Sequence, residues 1–179
     1  MIDNYKIDDL LQRVPHPPEE PPPPGIDDSE CERFAIRTGI TMPSDLQEWL
    51  KITNGPCVGP GGFYGIRPTC PFLDIESRMQ IFPNWYTTKW LPIAGDGCGN
   101  YFVMPTLREY GDSHPIVFVD TTNSSSSPLY VVSSDLDHFI IATLEEELGA
   151  TDWPFSRNFV INFDPDILKC SGVALPWEV

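Results

Sequence analysis

The sequence lacks the features that mark membrane, secreted and nucleic-acid-binding proteins. No apolar run approaches the ~20 residues that a bilayer-spanning helix needs, and the opening segment MIDNYKIDDLLQRV carries acidic residues where a secretory signal has an apolar core. Only 11 Lys and Arg stand against 26 Asp and Glu, which gives a formal net charge of -15. Such a chain repels phosphate backbones and anionic lipids. We therefore expect a soluble, cytoplasmic protein that binds neither nucleic acid nor membrane.

Metal-binding and disulfide patterns are missing as well. The five cysteines are odd in number and irregularly spaced, and no two of them form a Cys-x-x-Cys pair. The three histidines are far apart, and none forms an i, i+4 pair with another metal-ligating residue. The sequence predicts free thiols in a reducing compartment, no metal site and no cofactor. The residues concerned are Cys31, Cys57, Cys70, Cys98 and Cys170, with His16, His114 and His138.

Catalytic motifs are also absent: there is no phosphate loop, dinucleotide fingerprint, Ser-centred elbow or metal triad. The strongest candidate nucleophile is Cys98 in GDGCGN, where free amides of a glycine-rich turn could hold an oxyanion. It would need His114 or His138 beside it as a base. The same loop has only Asp96 and Asn100 as side-chain calcium ligands, and no bidentate glutamate follows. We predict that Cys98 fills a turn and that the protein is not an enzyme.

The chain divides into an N-terminal segment, residues 1–26, and one domain, residues 27–179. The 41% hydrophobic and 12% aromatic residues suffice for a single core. PHPPEEPPPP (15–24) has too few amide donors for a helix or sheet, so it predicts an extended spacer. The alternative is a docking ligand for an aromatic groove on another protein. Before the tract, Ile7, Leu10, Leu11 and Val14 have the spacing of a short amphipathic helix that folds back onto the domain.

Capping and spacing signals predict four helices in the domain. Asp27 is a capping residue, and Gly39 is a suitable left-handed terminator for the first helix. A second helix follows from 43 to 55, with apolar residues at i, i+3, i+4 and i+7. LDIESRMQIF (73–82) predicts a short helix stopped by Pro83. Ser134, with Asp137 three residues later, predicts the start of a helix that ends near residue 149.

Short β-compatible runs dominate the middle of the chain. A short strand is predicted at 63–66, and four more at 90–94, 101–104, 115–120 and 129–133. GDGCGN supplies the positive-φ positions of a hairpin between the second and third of these runs. Strands that follow one another without crossover helices predict an antiparallel sheet in an α+β domain. The last thirty residues are too apolar for a disordered tail, so we expect an ordered cover.

Three segments together resemble the SUKH superfamily. These are MPSDLQEWLKITNG (42–55), WLPIAGDGCGNYFVM (90–104) and PIVFVD (115–120), within a resemblance that covers about residues 27–149. The superfamily includes yeast cell-wall synthesis regulators and many bacterial immunity proteins. The resemblance implies an antiparallel sheet flanked by helices and no catalysis. It also implies a cytoplasmic immunity protein that binds a cognate toxin domain and occludes its active site. The alternative is a regulatory adaptor of the cell-wall regulator type.

The resemblance and the charge together point to a basic partner. Nuclease toxins are usually basic because they hold phosphates, so a partner of charge -15 that covers such a surface is physically sensible. Trp90 and Pro92 of the motif are expected to build the fold. The residues predicted to contact the toxin are the carboxylates and aromatics around the hairpin and the next loop; the alternative is that they form an ordinary exposed loop. They are Asp96, Asn100, Tyr101, Glu109, Tyr110 and Asp112.

Overall fold

The computed structural model describes residues 4–16, 21–150 and 152–179, which contain seven α-helices and four β-strands. The helices are α1 (Asn4–Arg13), α2 (Asp28–Thr38), α3 (Ser44–Ile52), α4 (Ile75–Ile81), α5 (Asn84–Thr88), α6 (Leu136–Glu147) and α7 (Arg157–Phe163). The strands are β1 (Trp90–Gly95), β2 (Tyr101–Pro105), β3 (Ile116–Val119) and β4 (Tyr130–Ser133). Short 3-10 turns lie at Pro71–Leu73, Pro165–Lys169 and Pro176–Glu178.

The four strands form one antiparallel meander in the order β1-β2-β3-β4. Tyr101 pairs with Gly95 on one side and with Val119 on the other, so the 96–100 turn and the end of β3 lie at the same end of the sheet. We call this the tip end, and the end that contains Trp90 the base end. The predicted α+β class with an antiparallel sheet is confirmed.

Both edges of the meander are covered by irregular segments. At the β1 edge, the Tyr64 amide donates to the Ile93 carbonyl at 2.7 Å. At the β4 edge, the Val131 amide donates to the Ala174 carbonyl at 2.9 Å. Covered edges cannot pair with another chain, which removes an aggregation hazard. The strand predicted at 63–66 is wrong: only isolated bridges form there, because Gly65 turns away from β1 to bond Leu73 and pair with Asp74.

The helix boundaries follow the predicted caps in α2 but not in α6. The Asp27 carboxylate accepts the Glu30 amide at 3.0 Å, and Gly39 closes α2 at φ 68°, as predicted. In α6 the capping residue is Asp135, one residue after the predicted Ser134, and it accepts the His138 amide at 2.9 Å.

Helix α5 was not predicted. It begins directly after Pro83, which ends the preceding helical run as expected. A proline at the cap position does not obstruct a new helix, because the first amides of a helix have no intrahelical partner. Pro83 therefore both ends the run of α4 and precedes the start of α5. Trp85 of α5 is fully buried and donates its indole N–H to the Ser125 carbonyl at 2.8 Å.

The sheet has a packed layer on each face. On one face, the rings of Phe63 and Phe102 both contact Phe139 of α6, with centroids 5.9 and 5.1 Å apart. On the other face, Tyr101 packs against Phe82 and Trp85 of the α4–α5 region, each at 5.3 Å. Adjacent residues of a strand point to opposite faces, so Tyr101 and Phe102 link β2 to both layers.

The N-terminal helix is part of this core. Ile7, Leu10, Leu11 and Val14 are all buried, and α1 packs against α6. The proline tract falls partly outside the described residues, since 17–20 are not among them. Its last residues run beside α3, where the Pro23 carbonyl accepts the Thr53 hydroxyl at 2.9 Å. A deletion of residues 1–26 would therefore remove core side chains as well as the tract.

Candidate functional site

The hairpin turn between β1 and β2 is organised by Asp96. One carboxylate oxygen accepts the Cys98 and Asn100 amides at 2.7 and 2.9 Å, and the other accepts the Asn100 side-chain amide at 2.8 Å. Gly97 adopts φ 77°, and a Cβ there would lie 2.6 Å from the Pro60 carbonyl oxygen. The turn is thus rigid and packed against the 59–61 loop. These hydrogen bonds hold the Asp96 carboxylate in place at the tip end.

Three other predicted contact residues belong to the loop after β2. Glu109 accepts the indole N–H of Trp90 at 2.6 Å, and the Tyr110 ring lies 6.4 Å from the Trp90 ring. Asp112 is exposed in the same loop. Because Trp90 is the first residue of β1, this group lies at the base end of the sheet.

The six predicted contact residues therefore do not form one surface. Asp96 and Asn100 lie beyond one end of β1, and Glu109, Tyr110 and Asp112 lie at the other. A six-residue strand at about 3.3 Å per residue separates the two groups by roughly 20 Å. Tyr101 is only 6% exposed and packs between the α4–α5 aromatics, so it is a core residue rather than a surface anchor.

The candidate catalytic residues are also separated by the sheet. Cys98 is exposed at the tip end. His114 precedes β3 and His138 follows β4, which places both at the base end. His114 lies beside Asp45, with 4.0 Å between Nδ1 and the carboxylate, and burial lowers its pKa. Neither predicted base is positioned to activate Cys98.

A cavity of about 260 Å³ lies at the tip end, between the sheet, α6 and the C-terminal segment. Six aromatic rings line it, and neighbouring rings lie 5.1 to 5.9 Å apart. The 58–62 loop and the hairpin turn border it on one side. The rings belong to Phe102, Phe118, Tyr130, Phe139, Trp153 and Phe155.

Two carboxylates, Asp96 and Glu146, line the same cavity, and no Lys or Arg lines it within the described residues. Burial, and to a lesser extent the charge of Asp96, raises the pKa of Tyr130 to about 12. The negative charge of Asp96 in the turn therefore acts on Tyr130 in the aromatic wall. The site combines apolar area with fixed negative charge.

A second polar cluster joins the C-terminal segment to the base end of the sheet. The buried Asp164 carboxylate accepts the Ser134 amide at 2.7 Å and the Ser134 hydroxyl at 2.6 Å. His138 Nδ1 lies 2.8 Å from Asp135 and 3.9 Å from Asp164. The hydrogen bond to Asp135 raises the pKa of His138, while burial opposes the shift. This cluster fixes the C-terminal cover against α6.

The raised pKa of His138 predicts a specific dependence of stability on pH. The pKa of His138 in the folded chain is higher than its ordinary value of 6.5, so folding favours the protonated form. Its stabilising contribution is therefore present below pH 6.5 and is lost as the pH rises through the folded-state pKa. We expect the free energy of unfolding lost in His138→Gln to be largest in mildly acidic buffer and smallest in alkaline buffer. Denaturant unfolding measured across this range tests the effect.

The matched control is His114→Gln, because burial lowers the pKa of His114. A neutral histidine in the folded state contributes stability that is lost as the pH falls below 6.5. The two variants should therefore show opposite trends with pH. Parallel trends would contradict the assignment of the Asp135 hydrogen bond as the dominant influence on His138.

Sequence reasoning predicted Asp96 but missed the cavity beside it. The aromatic residues of β2, β3 and β4 were recognised as parts of strands, but their alignment depends on strand register, which the sequence does not state. Glu146 is the middle residue of three consecutive glutamates, and nothing in that run distinguishes it from its neighbours. Only the position of α6 on the sheet places Glu146 beside the cavity, and that position depends on the tertiary fold.

The fold places the chain in a recognisable class: an α+β domain whose antiparallel meander is held between helices, as in the SUKH superfamily. Residues 25–142 match the family described as SMI1 / KNR4 family (SUKH-1). The match spans about two thirds of the chain, so the chain belongs to this family. The family includes toxin immunity proteins and cell-wall regulator-like members, which are generally non-catalytic.

The comparison with curated proteins and the comparison with solved structures each gave no significant match. Across the part of the chain that the structure describes, every helix is too short or too polar to span a bilayer. In the same residues, no cluster of three or more His, Cys, Asp or Glu side chains is arranged to hold a metal ion.

Proposed function

We propose that this chain is an immunity protein that binds a basic, nuclease-type toxin domain and covers its active site. The observation that carries the proposal is the aromatic cavity bordered by Asp96 and Glu146 on a chain of net charge -15. Membership of a family that includes toxin immunity proteins supports it. The chain itself performs no chemistry in this proposal.

The proposed binding surface is the tip end of the sheet. The cavity is surrounded there by the hairpin turn with Asp96 and Asn100, the 59–60 loop and Phe155, which is 57% exposed. Stable protein interfaces combine a desolvated aromatic centre with a polar rim. A negative surface also accelerates association with a positive one through long-range attraction. These are the properties that steric occlusion of a nuclease active site requires.

Co-expression with a candidate toxin domain encoded beside this chain's gene tests the proposal. We expect cells that produce the toxin alone to lose viability and cells that produce both proteins to survive. Cys98→Ala should protect as well as the parent chain, because the proposal assigns the thiol no chemical step and alanine keeps the backbone amide that bonds Asp96. Equal killing with and without this chain would refute the proposal, as would a gene neighbourhood that encodes no toxin.

The predicted alternative, a regulatory adaptor, depends on the proline tract rather than on the tip end. Pro21 and Pro22 are exposed, so they are available to an aromatic groove on another protein. Replacing both with Ala leaves the α1 core contacts in place, which a deletion of residues 1–26 would not. Retention of partner binding by this variant supports the domain surface and immunity, and loss of all partner binding supports the tract and the adaptor.

A further inference from the structure

The aromatic wall of the cavity is a continuous row across three strands. Phe102 lies directly opposite Phe118, and Phe118 lies directly opposite Tyr130. Their ring centroids are 5.4 and 5.1 Å apart, and the second pair is stacked with 16° between the planes. Phe102 and Phe118 are only half-buried, although they point towards the helix layer. The row therefore leaves ring surface accessible in the cavity.

The outer wall is built by residues beyond the family match, which ends at residue 142. Trp153 packs on Phe139 at 5.9 Å, and Phe155 meets Tyr130 edge-on at 5.7 Å. Phe155 remains largely exposed at the rim. The shape of the cavity thus depends on the C-terminal segment of this chain.

Glu146 contributes an uncompensated charge to the cavity. Its neighbour Glu145 pairs with Lys6 at 3.0 Å, whereas Glu146 has no ion pair within the described residues. Desolvation and then the charge of Glu147 raise the pKa of Glu146. A raised carboxyl pKa means that the ionised form is disfavoured, and a cation placed beside it would relieve that cost.

The size of the cavity limits its occupant to a single side chain. Drug-sized ligands occupy pockets of roughly 300–1,000 Å³, and this cavity holds about 260 Å³. We propose that the aromatic cavity receives an arginine side chain of a basic partner protein, stacked on the row from Phe102 to Tyr130 with its guanidinium towards Asp96 and Glu146. This inference rests on the proposed function and specifies how the partner is held.

Arginine fits this cavity better than lysine or an aliphatic side chain. Its planar guanidinium stacks on aromatic faces and offers several N–H donors to carboxylates, whereas an ammonium is a strongly hydrated point charge. An aliphatic side chain would place apolar surface against Glu146 and offer its carboxylate no cation. Arginine is also enriched among the residues that dominate interface energetics.

The test is a nuclear magnetic resonance titration of the full chain with the peptide acetyl-Gly-Arg-Gly-amide. The matched control peptide carries citrulline, which has the shape of arginine without its charge. We expect the arginine peptide to shift the indole N–H signal of Trp153 and the citrulline peptide to bind several-fold more weakly. A peptide with lysine and one with leucine in the same position complete the series.

Two pairs of variants locate the binding. Glu146→Gln should weaken the arginine peptide about three- to tenfold, the range expected for a lost charge beside a stacked cation. Glu32→Gln removes an exposed carboxylate on α2, away from the cavity, and should leave affinity unchanged. Phe155→Ala should also weaken binding, whereas Phe72→Ala removes an exposed ring elsewhere and should have no effect.

Three results would overturn the inference: no shift of Trp153 at millimolar peptide, equal binding of the citrulline peptide, or tighter binding of the lysine or leucine peptide. None of these results bears on whether the chain protects cells against a toxin, which the co-expression experiment measures separately. Protection without arginine binding would refute the cavity assignment alone. Arginine binding without protection would refute the proposed function alone.

Discussion

Phe63→Ala is expected to lower the free energy of unfolding by about 3–5 kcal/mol, the usual cost of removing a fully buried phenylalanine side chain. Phe63 is 0% exposed. Its ring lies 5.3 Å from Trp49 of α3 and 5.9 Å from Phe139 of α6. It also sits in the segment that covers the β1 edge, where it bridges to Ala94.

The size of this effect follows from the position of Phe63 between three elements. Removing the ring leaves a cavity that two helices and one strand would have to close together, and interiors relax only partially around such a void. Domains of this size are stable by only about 5–15 kcal/mol. The variant should therefore lose a large part of its stability.

Denaturant unfolding of the parent chain and of two variants checks the prediction. Phe72→Ala is the control, because Phe72 is 77% exposed and surface substitutions usually change stability by less than about 0.5 kcal/mol. A loss below about 1 kcal/mol in Phe63→Ala, or equal losses in both variants, would show that the ring does not join α3, α6 and β1.

Asp164→Ala is expected to lower the free energy of unfolding by about 2–4 kcal/mol. The carboxylate is 1% exposed and accepts both the amide and the hydroxyl of Ser134, which is itself 2% exposed. Alanine would leave two buried donors without an acceptor, and each buried unsatisfied group costs about 1–3 kcal/mol. The C-terminal cover would then lose the two hydrogen bonds that attach it to the residue after β4.

The matched control is Asp164→Asn. Asparagine keeps one oxygen for the Ser134 amide, and the Ser134 hydroxyl can rotate to accept from the new amide group. We therefore expect a smaller loss of stability than in Asp164→Ala. Hydrogen exchange of the 157–169 amides should increase in the alanine variant. Equal stability of the alanine variant and the parent chain would contradict the role assigned to Asp164.

The sheet and most helices could be predicted because their signals are local. The turn GDGCGN requires positive φ at Gly97 and Gly99, and it brings β1 and β2 together without help from the rest of the chain. Asp27 and Gly39 likewise cap α2 through contacts within a few residues. The predicted strand at 63–66 failed because its backbone groups are divided between two partners, which depends on the tertiary fold.

The candidate site could be predicted only in part, because it is assembled from distant segments. Asp96 is marked by its place in the hairpin motif. Glu146 lies beside the same cavity because α6 returns along the sheet towards the tip end. Phe155 reaches the cavity because the C-terminal segment folds back over β4. The predicted group at 109–112 is near the hairpin in sequence but lies at the base end in space.

The central claim is that this chain works by holding a basic protein through a preformed negative surface. The most direct test is the association rate with a candidate basic toxin domain encoded beside its gene. This rate is measured between about 0.1 M and about 1 M salt, over which the Debye length falls from about 10 Å to about 3 Å. We predict a 1:1 complex whose association rate falls at least about tenfold over this range. No complex, or a rate independent of salt, would contradict the claim.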